Sequence, residues 1–208
     1  MKKIGKLCII TDTVIQKKYS HADITRMAIR GGADMIQFRD KEMSTSGLID
    51  TAEEIKKICR KSNVTFIVND RVDVAMIVDA DGVHLGNEDI PVEEARKLLG
   101  KDKIIGKTYH KLRARSKNRK EEADYFGFGH IFPTNSKVKT TKPIGLTDLK
   151  QSVSLRRVPL IAIGGITIDN ASSVMATGVH GIAVIAGVIK TDDPVKSVRT
   201  LKKIVYGR

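Results

Sequence analysis

The 208-residue sequence predicts one (β/α)₈ barrel that spans residues 1–208. Three observations predict this fold. Short apolar runs alternate with amphipathic helical patterns, a joint phrase recurs at even intervals, and the length suits one domain with a sizeable core. In such a barrel the chemistry is expected at the carboxyl ends of the strands and in the loops that follow them.

The recurring phrase is a small or acidic joint that ends a helical pattern and leads into a short strand. It reads Gly32-Ala33-Asp34, Asp79-Ala80-Asp81, Glu122-Ala123-Asp124 and Gly178-Val179-His180. The strands that follow these joints are predicted over residues 35–39, 82–86, 125–129 and 181–185. Successive joints lie roughly fifty residues apart, which is about two βα units.

Further strands and the helices fill the intervals between the joints. Strands are predicted over residues 7–11, 65–69, 104–108 and 160–164, and helices over 22–30, 45–60, 72–78, 92–99, 116–122, 146–153, 170–177 and 194–205. This alternation indicates a parallel sheet. An open doubly wound sheet is the alternative, but the even repeat has no natural break point and therefore favours closure.

Composition argues against a disordered chain and against a protein that spans a membrane. Hydrophobic residues make up 41% and charged residues 29%, Trp is absent, and no apolar run is long enough to span a membrane. Cys8 and Cys59 have no metal-ligand companions and are expected to be reduced thiols. Without a signal peptide, the protein is expected to be cytoplasmic and to have no membrane partner.

The formal charge of +13 could mark a nucleic-acid or phosphate site, or a diffuse excess of surface lysine. Basic residues are scattered along the chain, and the densest run, residues 111–120, contains no aromatic side chain. A solvated helix face is therefore favoured, and no nucleic-acid partner is expected.

Polar residues gather at the predicted carboxyl ends of the strands, whereas the opposite ends carry only joint residues. Gln37, Arg39 and Lys41 alternate along one strand and its exit, which predicts that they face the barrel axis. An inward Arg and Lys require an anion, and a phosphate group suits them. A structural ion pair with Asp40 or Glu42 is the alternative.

Asp70 and Asp89 follow neighbouring strands beside this basic strand. Two carboxylates near cationic side chains suit Mg²⁺, which takes a few carboxylate oxygens and substrate phosphate. Each Asp could instead cap a helix. The sequence therefore predicts a Mg²⁺–diphosphate site, with helix capping as the alternative.

Two loops complete the predicted mouth of the barrel. Gly164-Gly165 precedes a helix capped by Thr167 or Asp169, and a glycine turn at a helix start can bind a phosphate through backbone N–H groups. The loop over residues 129–144 carries Thr134, Ser136 and Lys137, which could bind a second phosphate and act as a lid.

These motifs together resemble the thiamine phosphate synthase family over nearly the whole chain. The matching phrases are GGADMIQFRDK, FIVNDRVDVA, ADGVHLGNED, ADYFGFGHIFPTNSK, IAIGGITIDN and GIAVIAG. The resemblance implies a Mg²⁺-dependent transferase that joins hydroxymethylpyrimidine diphosphate to hydroxyethylthiazole phosphate and releases pyrophosphate. It implies small-molecule substrates and leaves a homo-oligomer possible.

The resemblance also implies residue roles. Gln37, Arg39, Lys41 and Asn69 would hold the pyrimidine diphosphate, and Asp70 and Asp89 would ligate Mg²⁺. Thr134 and Ser136 would contact the thiazole-side substrate. Lys137 would contact the pyrophosphate, and Arg39, Lys41 and Lys137 would stabilise charge on the leaving group. The thiazole phosphate would be bound by the backbone of three residues, Gly165, Ile185 and Ala186.

Two positions depart from the family pattern. Thr108 replaces the usual Ser and keeps the hydroxyl, so retained function is expected. His130 stands where synthases commonly have Pro, and it is characteristic of thiazole tautomerases, which use it for proton transfer. A tautomerase acting on carboxythiazole phosphate is therefore one alternative, and a non-enzymatic regulatory or nucleic-acid-binding protein is another.

Overall fold

A computed structural model describes residues 2–109, 123–134, 142–155 and 158–207. Eight parallel strands close into a barrel in the order β1-β2-β3-β4-β5-β6-β7-β8, so the closed barrel predicted from the repeat is confirmed and the open sheet is excluded. The strands are β1 (Leu7–Thr11), β2 (Met35–Phe38), β3 (Thr65–Asn69), β4 (Gly82–Leu85), β5 (Ile104–Tyr109), β6 (Tyr125–Gly129), β7 (Leu160–Ile163) and β8 (Gly181–Val184).

The helices lie between the strands, close to their predicted bounds. They are α1 (His21–Gly31), α2 (Thr45–Lys61), α3 (Val72–Ile77), α4 (Val92–Leu99), α5 (Gly145–Leu155), α6 (Ile168–Met175), α7 (Ala186–Ile189) and α8 (Pro194–Tyr206). The helix predicted over residues 116–122 lies outside the described residues. The short helix α7 was not predicted, because a single turn leaves no periodic pattern to read.

The strands separate two layers of apolar side chains. Alternate residues point inward and fill the barrel as a small cluster: Cys8, Ile10, Met35, Ile67, Ile104, Tyr125, Ile161 and Ala183. The outward residues join the larger core against the helices, which includes Ile9, Phe38, Val83 and Phe126. The barrel is thus packed in layers, as expected for eight strands.

The acidic joints tie neighbouring strands together at the amino-terminal end of the barrel. Asp34 accepts the backbone N–H of Leu7 at 2.8 Å, and Asp81 accepts that of Phe66 at 2.8 Å. Asp124 accepts the N–H of Ile105 at 2.7 Å. In each case the amide lies opposite the aspartate when the strand register is extended by one residue. The repeat seen in the sequence is therefore one hydrogen bond made three times.

His180, at the fourth joint, makes a different contact. Its Nε2 lies 3.2 Å from the carbonyl oxygen of Ile4, on the β1 side of the barrel. Closure of the barrel brings β8 beside β1. The fourth joint therefore helps to fasten the N-terminal segment where β8 meets β1.

Both cysteines are buried and unbridged, as expected. Burial raises the pKa of the Cys59 thiol to about 12 and that of Cys8 further, so neither is a reactive thiolate. Within the described ranges, no helix combines the length and the apolar character that crossing a membrane requires.

Candidate active site

The polar and basic residues of β2 and its exit lie at the carboxyl end of the barrel, where the sequence predicted them. Gln37 is buried and lines the barrel interior. Arg39 follows one residue beyond β2, with 16% of its side chain exposed, and Lys41 lies in the next turn, with 49% exposed. The predicted inward alternation thus extends from Gln37 to Arg39, and Lys41 reaches the rim.

The carboxylate that pairs with Arg39 differs from the predicted alternative. Arg39 Nη1 donates to Oδ2 of Asp12, at the end of β1, and neither Asp40 nor Glu42 is its partner. Asp40 instead pairs with His21, at 3.0 Å. The alternative of an ion pair with Asp40 or Glu42 is therefore wrong in its partner: Asp40 turns back toward α1, while the β1–β2 register places Asp12 beside Arg39.

Asp70 and Asp89 meet at the rim, next to Lys41. Lys41 Nζ donates to Asp70 Oδ2 at 2.7 Å, and Asp89 accepts the N–H of Gly86 at 2.5 Å. Neither aspartate caps a helix, because the N-cap residues of α3 and α4 are Arg71 and Pro91, and neither helix has a side-chain cap. The capping alternative is therefore wrong.

The two carboxyl groups influence each other. Burial raises the pKa of Asp89, and the neighbouring Asp70 raises it further. Burial opposes ionisation of Asp70 as well, but hydrogen bonds from Lys41 and Asp89 lower its pKa. Asp70 also has a positive φ of 62°, a conformation that side chains rarely adopt and that is concentrated at functional sites. Two carboxyl groups close enough to shift each other's pKa offer oxygen atoms that could bind one cation.

A small cavity lies inside the barrel. Its polar walls are Gln37, His84, Thr108 and Tyr125, and its apolar walls are Cys8, Met35, Ile161, Ile163 and Ala183. His84 bridges the polar walls, with Nδ1 3.0 Å from the Tyr125 hydroxyl and Nε2 3.0 Å from the Thr108 hydroxyl. This arrangement suits a flat ring with polar edges.

Two inward glycines leave room for the two rings in this hydrogen-bonded chain of Thr108, His84 and Tyr125. A Cβ on Gly106 would lie 2.2 Å from the Tyr125 ring, and one on Gly127 would lie 2.9 Å from the His84 ring. Burial lowers the pKa of His84 to about 4, so the imidazole is neutral near pH 7. One ring nitrogen is then a donor and the other an acceptor, which gives the chain a direction.

The glycine turn after β7 is built as predicted. Gly164 and Gly165 have φ values of 97° and 67°, and Thr167 caps α6 in a reciprocal capping box with Asn170. A Cβ on Gly187, in α7, would lie 2.4 Å from the carbonyl oxygen of Ile166. The β7 turn and the start of α7, which contains Ala186 after Ile185, therefore adjoin at the mouth.

The remaining predicted residues are placed in part. Asn69 ends β3, directly before Asp70, and Thr134 is half-buried in the segment after β6. His130 is 5% exposed, and its Cβ lies 2.3 Å from the position that a Cβ on Gly164 would take. Ser136 and Lys137 lie outside the described residues.

Sequence reasoning missed the polar residues of the first βα unit and two members of the interior chain. Asp12 and His21 were overlooked, although the polar run Thr11-Asp12-Thr13 ends a strand like the others. His84 and Tyr125 were assigned to strands without a role. Alternation along β4 from Gly82 and along β6 from Gly127 would have placed both rings on the inward faces of their strands.

Comparisons with known proteins agree with this geometry. The family described as thiamine monophosphate synthase matches residues 7–188. A thiamine-phosphate synthase of Chlorobium luteolum is 46% identical over 199 residues, covering 96% of this chain and 92% of that protein. One of Clostridium novyi is 43% identical, covering 96% of this chain and 98% of that protein.

Solved structures give the same result. A thiamine phosphate pyrophosphorylase from Pyrococcus furiosus is 40% identical, with a TM-score of 0.87, covering 97% of this chain and 96% of that one. A 3-hexulose-6-phosphate synthase from Salmonella typhimurium, 17% identical with a TM-score of 0.65, shares the fold alone. The family match over residues 7–188 and these similar proteins show that this chain belongs to the thiamine monophosphate synthase family.

Proposed function

We propose that the protein is a thiamine-phosphate synthase, a transferase that joins hydroxymethylpyrimidine diphosphate to hydroxyethylthiazole phosphate. The observation that carries the proposal is that Arg39, Lys41, Asp70 and Asp89 lie together at the carboxyl end of a barrel whose interior holds a small cavity with polar walls. Cations that face carboxylates beside a ring pocket suit a diphosphate ester of a small heterocycle.

Mg²⁺ is the proposed cofactor, and the residues present fit it. Among the described residues no group of three or more His, Cys, Asp or Glu is arranged to hold a metal. Mg²⁺ does not need such a group, because it binds through one or two carboxylates together with water and substrate phosphate. Asp70 and Asp89 would hold it, and it would supply positive charge to the leaving diphosphate.

The pyrimidine ring is proposed to lie in the interior cavity. Gln37 and Thr108 would meet its polar edge, and Asn69 would contact the diphosphate-bearing end. Because His84, which contacts Thr108, is neutral near pH 7, it adds no positive charge to this pocket. Positive charge is thereby concentrated at the rim, where the diphosphate would be bound by Arg39 and Lys41, and by Lys137.

The thiazole phosphate is proposed to lie on the other side of the mouth. The adjoining turns supply backbone N–H groups at Gly165, Ile185 and Ala186, next to the start of α6. Thr134 and Ser136 would contact the same substrate. The two phosphate-binding regions would thus hold the two substrates on opposite sides of the reacting carbon.

The chemistry then needs charge stabilisation rather than a base. The C–O bond to the diphosphate breaks with its electron pair leaving on oxygen, and the pyrimidine ring delocalises the positive charge left on carbon. The thiazole nitrogen supplies the pair for the new C–N bond. Arg39, Lys41 and Lys137 would already be in position before the bond breaks, and they would stabilise the charge that develops on the leaving diphosphate.

A turnover assay tests the proposal. The protein is incubated with both phosphorylated substrates and Mg²⁺, and thiamine phosphate is measured by chromatography. The proposal expects product in an amount equal to the pyrophosphate released, and substrates that remain unchanged would reject it.

The tautomerase alternative rests on His130 alone, and the similar curated proteins, which carry the synthase name, do not favour it. The His130→Ala variant separates the two activities. A synthase should retain thiamine phosphate formation in this variant. Isomerisation of carboxythiazole phosphate by the wild type, lost in the variant, would support the alternative.

A further inference from the structure

The first βα unit supplies none of the residues to which the proposed function gives a role, yet its carboxyl end is filled with buried polar groups. Thr11, Asp12 and His21 are each 3% exposed or less. A buried carboxylate and a buried imidazole cost free energy unless they are paired. Their partners therefore indicate what this end of the unit does.

Asp12 holds the Arg39 guanidinium from behind. One carboxylate oxygen, Oδ1, accepts the N–H groups of Val14 at 3.0 Å and Ile15 at 3.3 Å, which fixes the carboxylate itself. The other oxygen, Oδ2, accepts from Arg39 Nη1. A guanidinium has five N–H donors in a rigid fork, so an anchor on Nη1 restricts its orientation and leaves other donors for an anion.

His21 and Asp40 hold the turn that carries Arg39 and Lys41. The His21 ring contacts the Thr11 hydroxyl through Nδ1 at 2.7 Å and Asp40 through Nε2 at 3.0 Å. The second oxygen of Asp40 accepts the N–H groups of Glu42 and Met43, both at 2.8 Å. Asp40 thereby closes the turn around Lys41 and fastens it to His21 of α1.

The pair of Asp12 and Arg39 could act in two opposite ways on a bound diphosphate. As a competitor, Asp12 would neutralise Arg39 and weaken the attraction of an anion. As an anchor, it would keep the guanidinium aimed at the rim and spare the substrate the cost of ordering it. The anchor is favoured because the carboxylate is itself fixed and buried, and because the same unit also holds the turn after Arg39 through the His21–Asp40 pair.

We propose that Asp12 is a positioning residue that orients Arg39 for the diphosphate of the substrate, with the His21–Asp40 pair fixing the turn that carries Arg39. This inference rests on the proposed function for the identity of the anion. It gives the first βα unit a part in substrate binding that requires no contact with substrate.

A binding measurement on the whole chain tests the proposal without turnover. Affinity for inorganic pyrophosphate in the presence of Mg²⁺ is measured by calorimetry for the wild type, D12N, R39Q and the double variant. The Asp12→Asn change keeps the size of the side chain and removes its charge. We expect D12N to weaken binding about tenfold, and to cause no further loss in the R39Q background, since coupled residues are not additive.

A second variant separates orientation from charge. Asp12→Glu keeps the carboxylate and displaces it by one methylene, so weaker binding by D12E supports an anchor. The kinetic counterpart is a raised KM for the pyrimidine diphosphate with an unchanged KM for the thiazole phosphate. Tighter binding by D12N, or losses in D12N and R39Q that add, would overturn the proposal.

Asp124→Asn is the matched control. Asp124 also pairs with an arginine, Arg96 at 2.7 Å, and accepts a backbone N–H, but at the opposite end of the barrel. D124N should lower the unfolding midpoint and leave pyrophosphate affinity unchanged. Equal loss of affinity in D124N and D12N would mean that the D12N effect is general destabilisation, and would overturn the proposal. A wild type that binds pyrophosphate but forms no thiamine phosphate would instead contradict the proposed function and leave the role of Asp12 standing.

Discussion

The two ends of the barrel use the same residue type in opposite ways. At the amino-terminal end, Asp34, Asp81 and Asp124 repeat one contact, the acceptance of a neighbouring strand's N–H. At the carboxyl end, the backbone N–H groups that aspartates accept lie within their own loops, at Asp12, Asp40 and Asp89, rather than on a neighbouring strand. The side-chain partners there also differ: an arginine at Asp12, an imidazole at Asp40 and a lysine at Asp70.

The difference separates stability from chemistry. A repeated contact serves a requirement common to every unit, here the joining of strand starts to one another. Varied contacts serve a site at which each position has its own task. A residue can therefore be sorted by whether its contact recurs around the barrel, and this division can be tested end by end.

The largest expected effect belongs to Asp70 at the carboxyl end. Asp70→Asn keeps the size of the side chain and tolerates the positive φ, but removes one proposed Mg²⁺ ligand. We expect thiamine phosphate formation to fall by about a thousandfold, because charge on the leaving group loses its stabilisation. Steady-state turnover and thermal unfolding are measured together, and near-normal turnover in D70N would remove Asp70 from the metal site.

An intermediate effect, on stability rather than on turnover, is expected at Asp81. Asp81→Ala leaves the N–H of Phe66 without its side-chain acceptor, which should cost about 2 kcal/mol of unfolding free energy. Turnover by the folded variant should match the wild type. Urea unfolding measures the first quantity and initial rates the second; impaired kcat with normal stability would break the division between the two ends.

A smaller effect, on stability at low pH, is expected at two aspartates, one at each end of the barrel, whose pKa is lowered to about 2. Burial opposes the shift at Asp40, but hydrogen bonds from His21, two backbone amides and Thr13 outweigh it. At Asp79 the cause is hydrogen bonds from Lys103 and Lys56, and this side chain is 72% exposed. Water and salt screen the exposed pairs far more than the buried one.

Both pKa values lie below the unfolded value, so each group adds stability above about pH 4 that is lost as the pH falls toward 2. Asp40, whose side chain is 5% exposed, should contribute up to about 2 kcal/mol with little dependence on salt. The Asp79 contribution should be smaller and should shrink in high salt. Urea unfolding of D40N and D79N between pH 4.5 and 2.5 measures both, and equal, salt-independent losses would contradict the comparison.

Much of the fold and of the rim was predictable because it rests on local patterns. Strand alternation placed Gln37 and Arg39 on one face, and polar strand ends marked Asp70 and Asp89. The Arg39–Asp12 pair was not predicted, although it follows from the register: Thr11 lies opposite Phe38, so one further residue brings Asp12 beside Arg39. That register depends on how two strands, far apart in sequence, align in space.

The interior chain was harder to predict for a related reason. The ring of His84 fits because Gly127 on another strand has no side chain, and Tyr125 fits over Gly106 in the same way. Each vacancy is filled by a residue from a different strand. A pattern read along one strand contains no signal for such complementarity, which appears only when the barrel closes.

The most direct test of the division between the ends is a map of where the anion binds. Backbone amide signals of this 22.9-kDa chain are recorded by NMR while Mg²⁺ and inorganic pyrophosphate are added. The account predicts shifts at Arg39, Lys41, Asp70 and Asp89, with the amides of Asp34, Asp81 and Asp124 unmoved. Shifts centred on the amino-terminal joints, or no shifts at the carboxyl end, would contradict it.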